Sequence, residues 1–208
     1  MAATVTTTPC AYTACDFFDR SDTATTLGMT IALTGNNYSG QAEKGGAWQT
    51  DGMTWGISTN QSYVISPTGM GNYARVDNYA IPANHTVEIY VRAGNFDGQV
   101  GIISRASADW NTNMVWIGMD AGGNVEVWTL VNSTWTLVSS GTNTPAITYT
   151  VQRRLTAILS GTALTVQING TLVPLSSSFT IANVTGADGI YIDTTGTTPP
   201  KIDSFTIS

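Results

Sequence analysis

Residues 163–175 read A-L-T-V-Q-I-N-G-T-L-V-P-L, and the Asn169-Gly170 pair at their centre decides how the chain folds. Asn-Gly accepts positive φ at both central positions of a type I′ turn, whose twist matches that of the strands it joins. Two β-rich runs flanking it therefore read as a hairpin. Outward from this pair, "LSGTA" at 159–163 and "DAGGN" at 120–124 are turns of the same kind. "HTVEIYVRA" at 85–93 alternates Val87, Ile89 and Val91 against Glu88, Tyr90 and Arg92, as a half-buried strand does. "NVEVWTLV" at 124–131 sets Val125, Val127, Thr129 and Val131 against Glu126, Trp128 and Leu130. Further strands are expected in "QVGIISRA", "NMVWIGMD", "STWTLVSS", "YTVQRRLTAILS", "GIYIDT" and "KIDSFTIS". No stretch has a 3.6-residue period, and β-branched residues occur throughout. Many short strands with regularly spaced turns predict an all-β sandwich or barrel.

Composition narrows the function. Charged residues make up 11% of the 208, against the usual ~25%, while hydrophobic residues reach 42%. That balance opposes disorder. The net charge is −6, and of the eight Lys and Arg only Arg153 and Arg154 are adjacent. No basic stripe is available to neutralise phosphates, so neither nucleic acid nor an acidic membrane is an expected partner. No apolar run approaches the ~20 residues of a membrane-spanning helix.

The first fifteen residues, "MAATVTTTPCAYTAC", carry no charge, unlike the charge-rich segment at 16–22. They lack the basic and apolar regions of a secretory signal. They read as an extended arm over 1–15, docked on its own domain or on a neighbour, ahead of a domain spanning 16–208. Cys10 and Cys15 allow a short-loop disulfide, and with His85 the sole histidine there is no ligand set for zinc. No G-x-S-x-G is present, and His85 reads as a solvent-facing loop residue.

Several segments in order carry a resemblance: Phe18, Arg20 and Asp22 before Leu27-Gly28; "WGISTN" at 55–60; "GIISRA" at 101–106; "GNVEVW" from 123 and "WTLV" from 135; "LTVQING" at 164–170; and "IDSFTI" at 202–207. Together they resemble the concanavalin A-like lectin/glucanase superfamily, in its laminin-G-like branch found in bacteriophage structural proteins and in secreted bacterial carbohydrate-associated modules. The resemblance implies a two-sheet antiparallel jelly roll over 16–208. It also implies that the first and last strands lie side by side. A clasp of Phe18, Arg20, Asp22 and Asp203 is then expected, because a buried arginine needs a partner. Rim sites in such sandwiches hold Ca2+, and Asp16 and Asp19, with Asp22 and Asp203, are candidate ligands for a structural ion.

The glucanase pattern of this superfamily, E-x-D-x-x-E on one strand, is absent. Glu43, Glu88 and Glu126 have no second carboxylate within four residues, so no enzymatic activity is expected. In "SADWNTN" at 107–113, Asp109, Trp110, Asn111 and Asn113 combine an aromatic face with planar polar groups, a candidate glycan platform. The competing reading folds Trp110 over the edge of the core. Trp116, Trp128 and Trp135 lie in strand patterns and read as packing residues, and Trp55 falls on the packing tryptophan of the resemblance. The expected function is a non-enzymatic virion structural protein, a phage capsid decoration or minor tail protein assembled in the host cytoplasm. It would form homo-oligomers, dock on capsid or tail subunits and present loops to host glycans. The alternative is a carbohydrate-binding module of a secreted, extracellular bacterial protein.

Overall fold

The computed structural model describes residues 14–16, 18, 48–50, 55–57, 61–64, 72–76, 81–142, 151–182, 185–194 and 198–208. These residues form strands and no helix. In chain order the strands are β1 (Ala14–Asp16), β2 (Trp48–Thr50), β3 (Trp55–Ile57), β4 (Ser62–Val64), β5 (Asn72–Val76), β6 (Asn84–Val91), β7 (Gln99–Ala106) and β8 (Asn113–Asp120). They continue with β9 (Asn124–Val131), β10 (Thr134–Thr142), β11 (Arg153–Ser160), β12 (Ala163–Ile168), β13 (Thr171–Leu172), β14 (Ala187–Asp193) and β15 (Ile202–Ile207). One sheet runs β13-β12-β11-β6-β15-β4-β3, with β1 also on β15, and the other runs β10-β9-β8-β7-β14-β5-β2. Every pairing among the described residues is antiparallel. The architecture is a two-sheet jelly-roll sandwich, in agreement with the alternation and with the resemblance.

The Asn169-Gly170 turn has φ of 52° and 81° and joins Ile168 to Thr171, the type I′ hairpin the dipeptide predicts. Between the sheets, Val87, Ile89 and Val91 of β6 meet Val100 and Ile102 of β7, Ile117 and Met119 of β8, and Ile190 and Ile192 of β14. Each such side chain contributes about 1.5–3 kcal/mol when fully withdrawn from water.

The first and last strands pair as expected: Ala14 opposes Ile207, Cys15 opposes Thr206 and Asp16 opposes Phe205. β15 thereby shares one edge between β4 at its start and β1 at its end. Asp16, which is not among the residues expected in the clasp, makes the contacts seen at this end. Its Oδ1 accepts the Phe18 N–H at 2.7 Å and its Oδ2 accepts the Trp48 indole N–H at 2.6 Å. Trp48 belongs to the other sheet, so a single carboxylate ties the two layers. Trp48 also stacks on Phe18 at 6.0 Å and meets Phe205 edge-on at 5.2 Å. Asp203 accepts from Gln61 Nε2 at 2.5 Å and from Gln152 Nε2, and Gln61 in turn accepts from Arg92 at 3.0 Å. Asp19, Arg20 and Asp22 lie outside the described residues, as does Cys10, while Cys15 is disulfide-bonded.

His85 departs from its expected solvent-facing place. It is 5% exposed, because β6 begins at Asn84 and puts His85 on the inward register of Val87, Ile89 and Val91. Its Nδ1 lies 2.7 Å from the Pro82 carbonyl, and its Nε2 lies 2.7 Å from Asp188 Oδ2. The second contact is an ion pair when the imidazole is protonated. Asp188 is fully buried, and its Oδ1 accepts from Ser104 Oγ at 2.5 Å and from the Arg105 N–H at 3.1 Å. These bonds fix a bulge where Arg105 takes a φ of 55° and the β14–β7 register shifts between Ala187 and Gly189.

Three arginines, Arg75, Arg105 and Arg153, are almost wholly buried and donate to main-chain carbonyls. Arg75 reaches Ser107 and Ala108, Arg105 reaches Ala83 and Gly161, and Arg153 reaches Ala121 and Gly94. Each guanidinium thus ties down loops at the ends of strands. Replacing Asp16 with alanine is expected to cost about 2–3 kcal/mol, since it strands two buried donors that were bonded to a charged acceptor. Urea unfolding of Asp16→Ala against the parent measures this, and a loss below about 0.5 kcal/mol, the level of an ordinary surface change, counts against the clasp.

Candidate functional site

Strand alternation sends every second residue of the β10-to-β2 sheet away from the core. In register across its outer face, one row reads Tyr73 on β5, Tyr191 on β14, Gly101 on β7, Gly118 on β8 and Glu126 on β9. The two glycines leave the middle of that row without side chains. On one side of them lie Asp193, Gln99 and Asp120, and on the other lie Ile103, Trp116 and Trp128. Trp135, close to the turn between β9 and β10, reaches across the face and stacks on Tyr73 at 6.3 Å and 16°. The result is a groove of about 550 Å³ walled by Tyr73, Trp116, Trp128, Trp135 and Tyr191.

The aromatic walls brace one another. Trp116 meets Tyr191 edge-on at 4.7 Å and tilts against Trp128 at 6.0 Å, and Tyr73 leans on Tyr191 at 5.2 Å. The Trp116 indole lies over Gly118, where a Cβ would collide with the ring and with Gln99 Oε1. Gly118 is therefore what lets a tryptophan lie flat along the groove.

Polar groups are fixed among these rings. Glu126 Oε2 accepts from Trp128 Nε1 at 3.0 Å and from Gln99 Nε2 at 3.3 Å, which leaves Oε1 without a partner among the described residues. Asp120 is turned to its own loop, accepting from Asn124 N at 2.8 Å and Asn124 Nδ2 at 2.7 Å. Asp193 is 8% exposed, and its Oδ1 is buried with no partner among the described residues. Gln99 Oε1 and Trp116 Nε1 are left in the same state. Burial pushes the Asp193 carboxyl above its ordinary value, offset in part by a hydrogen bond from Tyr191. Burial first, and then Asp193, push the Tyr191 phenol well above its own, so it remains a donor.

The sequence-derived platform lies beside this groove. Asp109 is exposed, and its carboxylate accepts from Thr112 Oγ1 at 2.5 Å, Ser107 Oγ at 2.7 Å, Thr112 N at 3.0 Å and Asn111 N at 3.1 Å. These bonds, led by that of Thr112, hold it well below the usual carboxylate range. Asp109 is committed to shaping its loop. Asn111 Nδ2 donates to the Asp109 carbonyl at 3.1 Å, and Asn113 lines a separate cavity of about 150 Å³. Trp110 is half-buried with a φ of 63°, stacked on Tyr73 at 6.1 Å and covered by the Arg75 guanidinium at 4.1 Å. It props Tyr73, a groove wall, from behind. Trp116 and Trp128, read from the sequence as packing residues, do pack in a buried cluster, and together with Trp135 they also wall the groove. Their alternation with Val115, Ile117 and Val127 was the available signal, but both faces of these strands are apolar and the sequence does not rank them.

Of the proposed calcium ligands, Asp19 and Asp22 lie outside the described residues. Asp16 does not suit a cation, because two N–H donors aim positive hydrogens at its oxygens. No cluster of three acidic, histidine or cysteine side chains occurs among the described residues. Glu88 and Glu126 stand on different sheets, Glu88 accepting from Thr156 Oγ1 at 2.8 Å, and Glu43 lies outside the described residues.

No protein-family model and no curated protein matches the chain. Solved structures do. The carbohydrate binding module CBM66 from Bacillus subtilis superposes with a TM-score of 0.57 at 16% identity, over 76% of this chain and 91% of that one. The VIP36 exoplasmic/lumenal domain, in a Ca2+/Man3GlcNAc-bound form, gives 0.56 at 10% identity over 77% and 84%. The Emp46p carbohydrate recognition domain gives 0.54 at 11% identity over 77% and 87%. The fold is that of concanavalin-like lectins. At these identities the lectin-like likeness is one of fold, and the groove chemistry above belongs to this chain. None of these structures links the fold to a virus particle.

Two outcomes are expected from the groove. Gly118→Val displaces the Trp116 ring and collapses the near-ultraviolet circular dichroism of the aromatic cluster, while the far-ultraviolet β signal persists. Asp193 has a raised folded pKa, so its protonated form favours folding. That contribution is complete below the ordinary carboxylate pKa and is lost as pH rises through the folded value. Asp193→Asn is therefore expected to raise the melting temperature relative to the parent more at pH 7 than at pH 3.

Proposed function

We propose that the chain is a carbohydrate-binding domain without catalytic activity, and that the aromatic groove on the outer face of the β10-to-β2 sheet is its binding site. The observation that carries this reading is the groove itself. Indole and phenol rings wall it, with Glu126 and Gln99 held among them at fixed angles. A pyranose ring presents an axial C–H face that stacks on an aromatic ring, and equatorial hydroxyls that want planar acceptors and amides. The lectin-like neighbours support the same reading. The virion role is drawn from the arm at 1–15, the lack of a signal-like start and the low-charge β-rich body; residues 1–13 of the arm lie outside the described residues, and the lectin-like neighbours favour the carbohydrate reading over it.

The sheet supplies the rigidity the site needs. Trp116 and Trp128 are directly opposed across β8 and β9, and Glu126 is tethered to Trp128 and Gln99, so little side-chain freedom is lost when a sugar docks. Trp135 is 38% exposed and crosses the groove, where it can close over a bound ring.

Screening the full chain against an immobilised oligosaccharide panel, followed by calorimetric titration of the best binder, tests the proposal. Trp128→Ala and Trp135→Ala are each expected to weaken binding about tenfold or more, in line with ~1.4 kcal/mol or more for a lost stacking contact. Trp135→Ala should leave the melting temperature nearly unchanged. Mass spectrometry of the recovered oligosaccharide should show it uncut. Binding that survives both tryptophan replacements places the site elsewhere.

A further inference from the structure

Among the described residues, every ionisable side chain lining the groove except the two tyrosines is a carboxylate: Asp120, Glu126 and Asp193. No lysine, arginine or histidine among the described residues lines it. Their states differ. Asp120 is saturated by Asn124. Glu126 keeps Oε1 without a partner among the described residues, and Asp193 is more than nine-tenths buried with Oδ1 in the same state. The Asp193 carboxylate has Tyr191 as a hydrogen-bond donor but no cation among the described residues of the lining, so its charge is only partly compensated. Beside it stand Trp116 and Tyr191, whose faces carry the negative end of the ring quadrupole. Carboxylate and ring faces both attract positive charge and both repel an anion.

We propose that the groove selects glycans carrying a free, protonated amine, with a glucosamine-type ammonium seated at the Asp193 and Glu126 end while the sugar ring stacks on the tryptophans. The inference rests on the carbohydrate-binding reading and names the class of sugar within it. Neutral sugars bind more weakly, since they leave the Asp193 charge only partly compensated. Uronic and sialic acids are rejected, since a further negative charge enters a groove already holding three carboxylates. N-acetylation removes the positive charge and adds bulk, and it erases the advantage.

The test is calorimetric titration of the full chain at pH 6 and low salt with four oligosaccharides of equal length: glucosamine, N-acetylglucosamine, glucose and galacturonate. The expected result is a glucosamine affinity about tenfold above that for glucose, no binding of galacturonate, and a preference that shrinks as salt is added. Asp193→Asn and Glu126→Gln should each bring the ratio of glucosamine to glucose affinity down towards one, whatever either change does to glucose binding itself. A folded β signal in each variant shows that the change is local. Equal affinity for glucose and glucosamine overturns the amine selectivity and leaves the carbohydrate reading standing. Binding of none of the four oligosaccharides, nor of any member of the wider panel, overturns both. A preference that persists in both variants overturns the placement of the amine. Choline binding as tightly as the glucosamine oligosaccharide shows a cation site with no need of sugar and overturns the proposal.

Discussion

Strand register governs both faces of the sandwich at once. Side chains alternate with a period of two, so a one-residue slip of β8 would send Val115, Ile117 and Met119 to the surface and Trp116 and Gly118 into the core. Core and groove are thus two halves of the same strands and cannot be set independently. The register is pinned where slipping is hardest. Ser104, Arg105, Asp188 and His85 lock the β14–β7 bulge with buried polar contacts that would be stranded by any shift. At the opposite layer Asp16 holds β1 against β15 and reaches across to Trp48.

That arrangement sets a second apolar cluster on the outer face of the sheet, beside the groove. Sandwich sheets normally turn polar residues outward, as β6 does with Glu88 and Tyr90. The β7, β8 and β14 strands instead place Ile103, Trp116 and Tyr191 there, and these form a second apolar cluster with Met114 and Leu130. Apolar side chains on an outer face cost solubility, and a buried carboxylate with one oxygen unpartnered among the described residues adds to that cost. Such departures from the local rules concentrate where a protein meets a ligand.

Much of the fold was legible in the sequence. The Asn169-Gly170 turn, the alternation at 85–93 and 124–131, and the closing "IDSFTI" each produced the strand expected of it, because their signals are local. The pairing of first and last strands came from the resemblance. His85 sits inward by the same alternation as Val87 and Ile89, yet the turn residues before it, "IPAN", mask the start of β6 and make it read as a loop residue. The candidate site was less legible. The loop at 107–113 carries the right residue types, but Asp109 spends its acceptors on its own loop and Trp110 braces a neighbour. The groove draws Tyr73, Gln99, Trp116, Glu126, Trp128 and Asp193 from five strands. Their adjacency depends on β14 lying between β7 and β5, a long-range pairing that no window of sequence reports.

The three buried arginines bear on how such a surface can change. Each grips carbonyl oxygens, and a carbonyl is the one acceptor that every amino acid supplies. The loops they hold at 83, 94, 107–108, 121 and 161 are therefore anchored through their main chains, whatever side chains they carry. Residues around the sandwich rim are free to drift, or to be exchanged wholesale, without loosening the frame. The molecule separates its scaffolding from its vocabulary, which makes it a natural starting point for selecting new recognition surfaces by loop diversification.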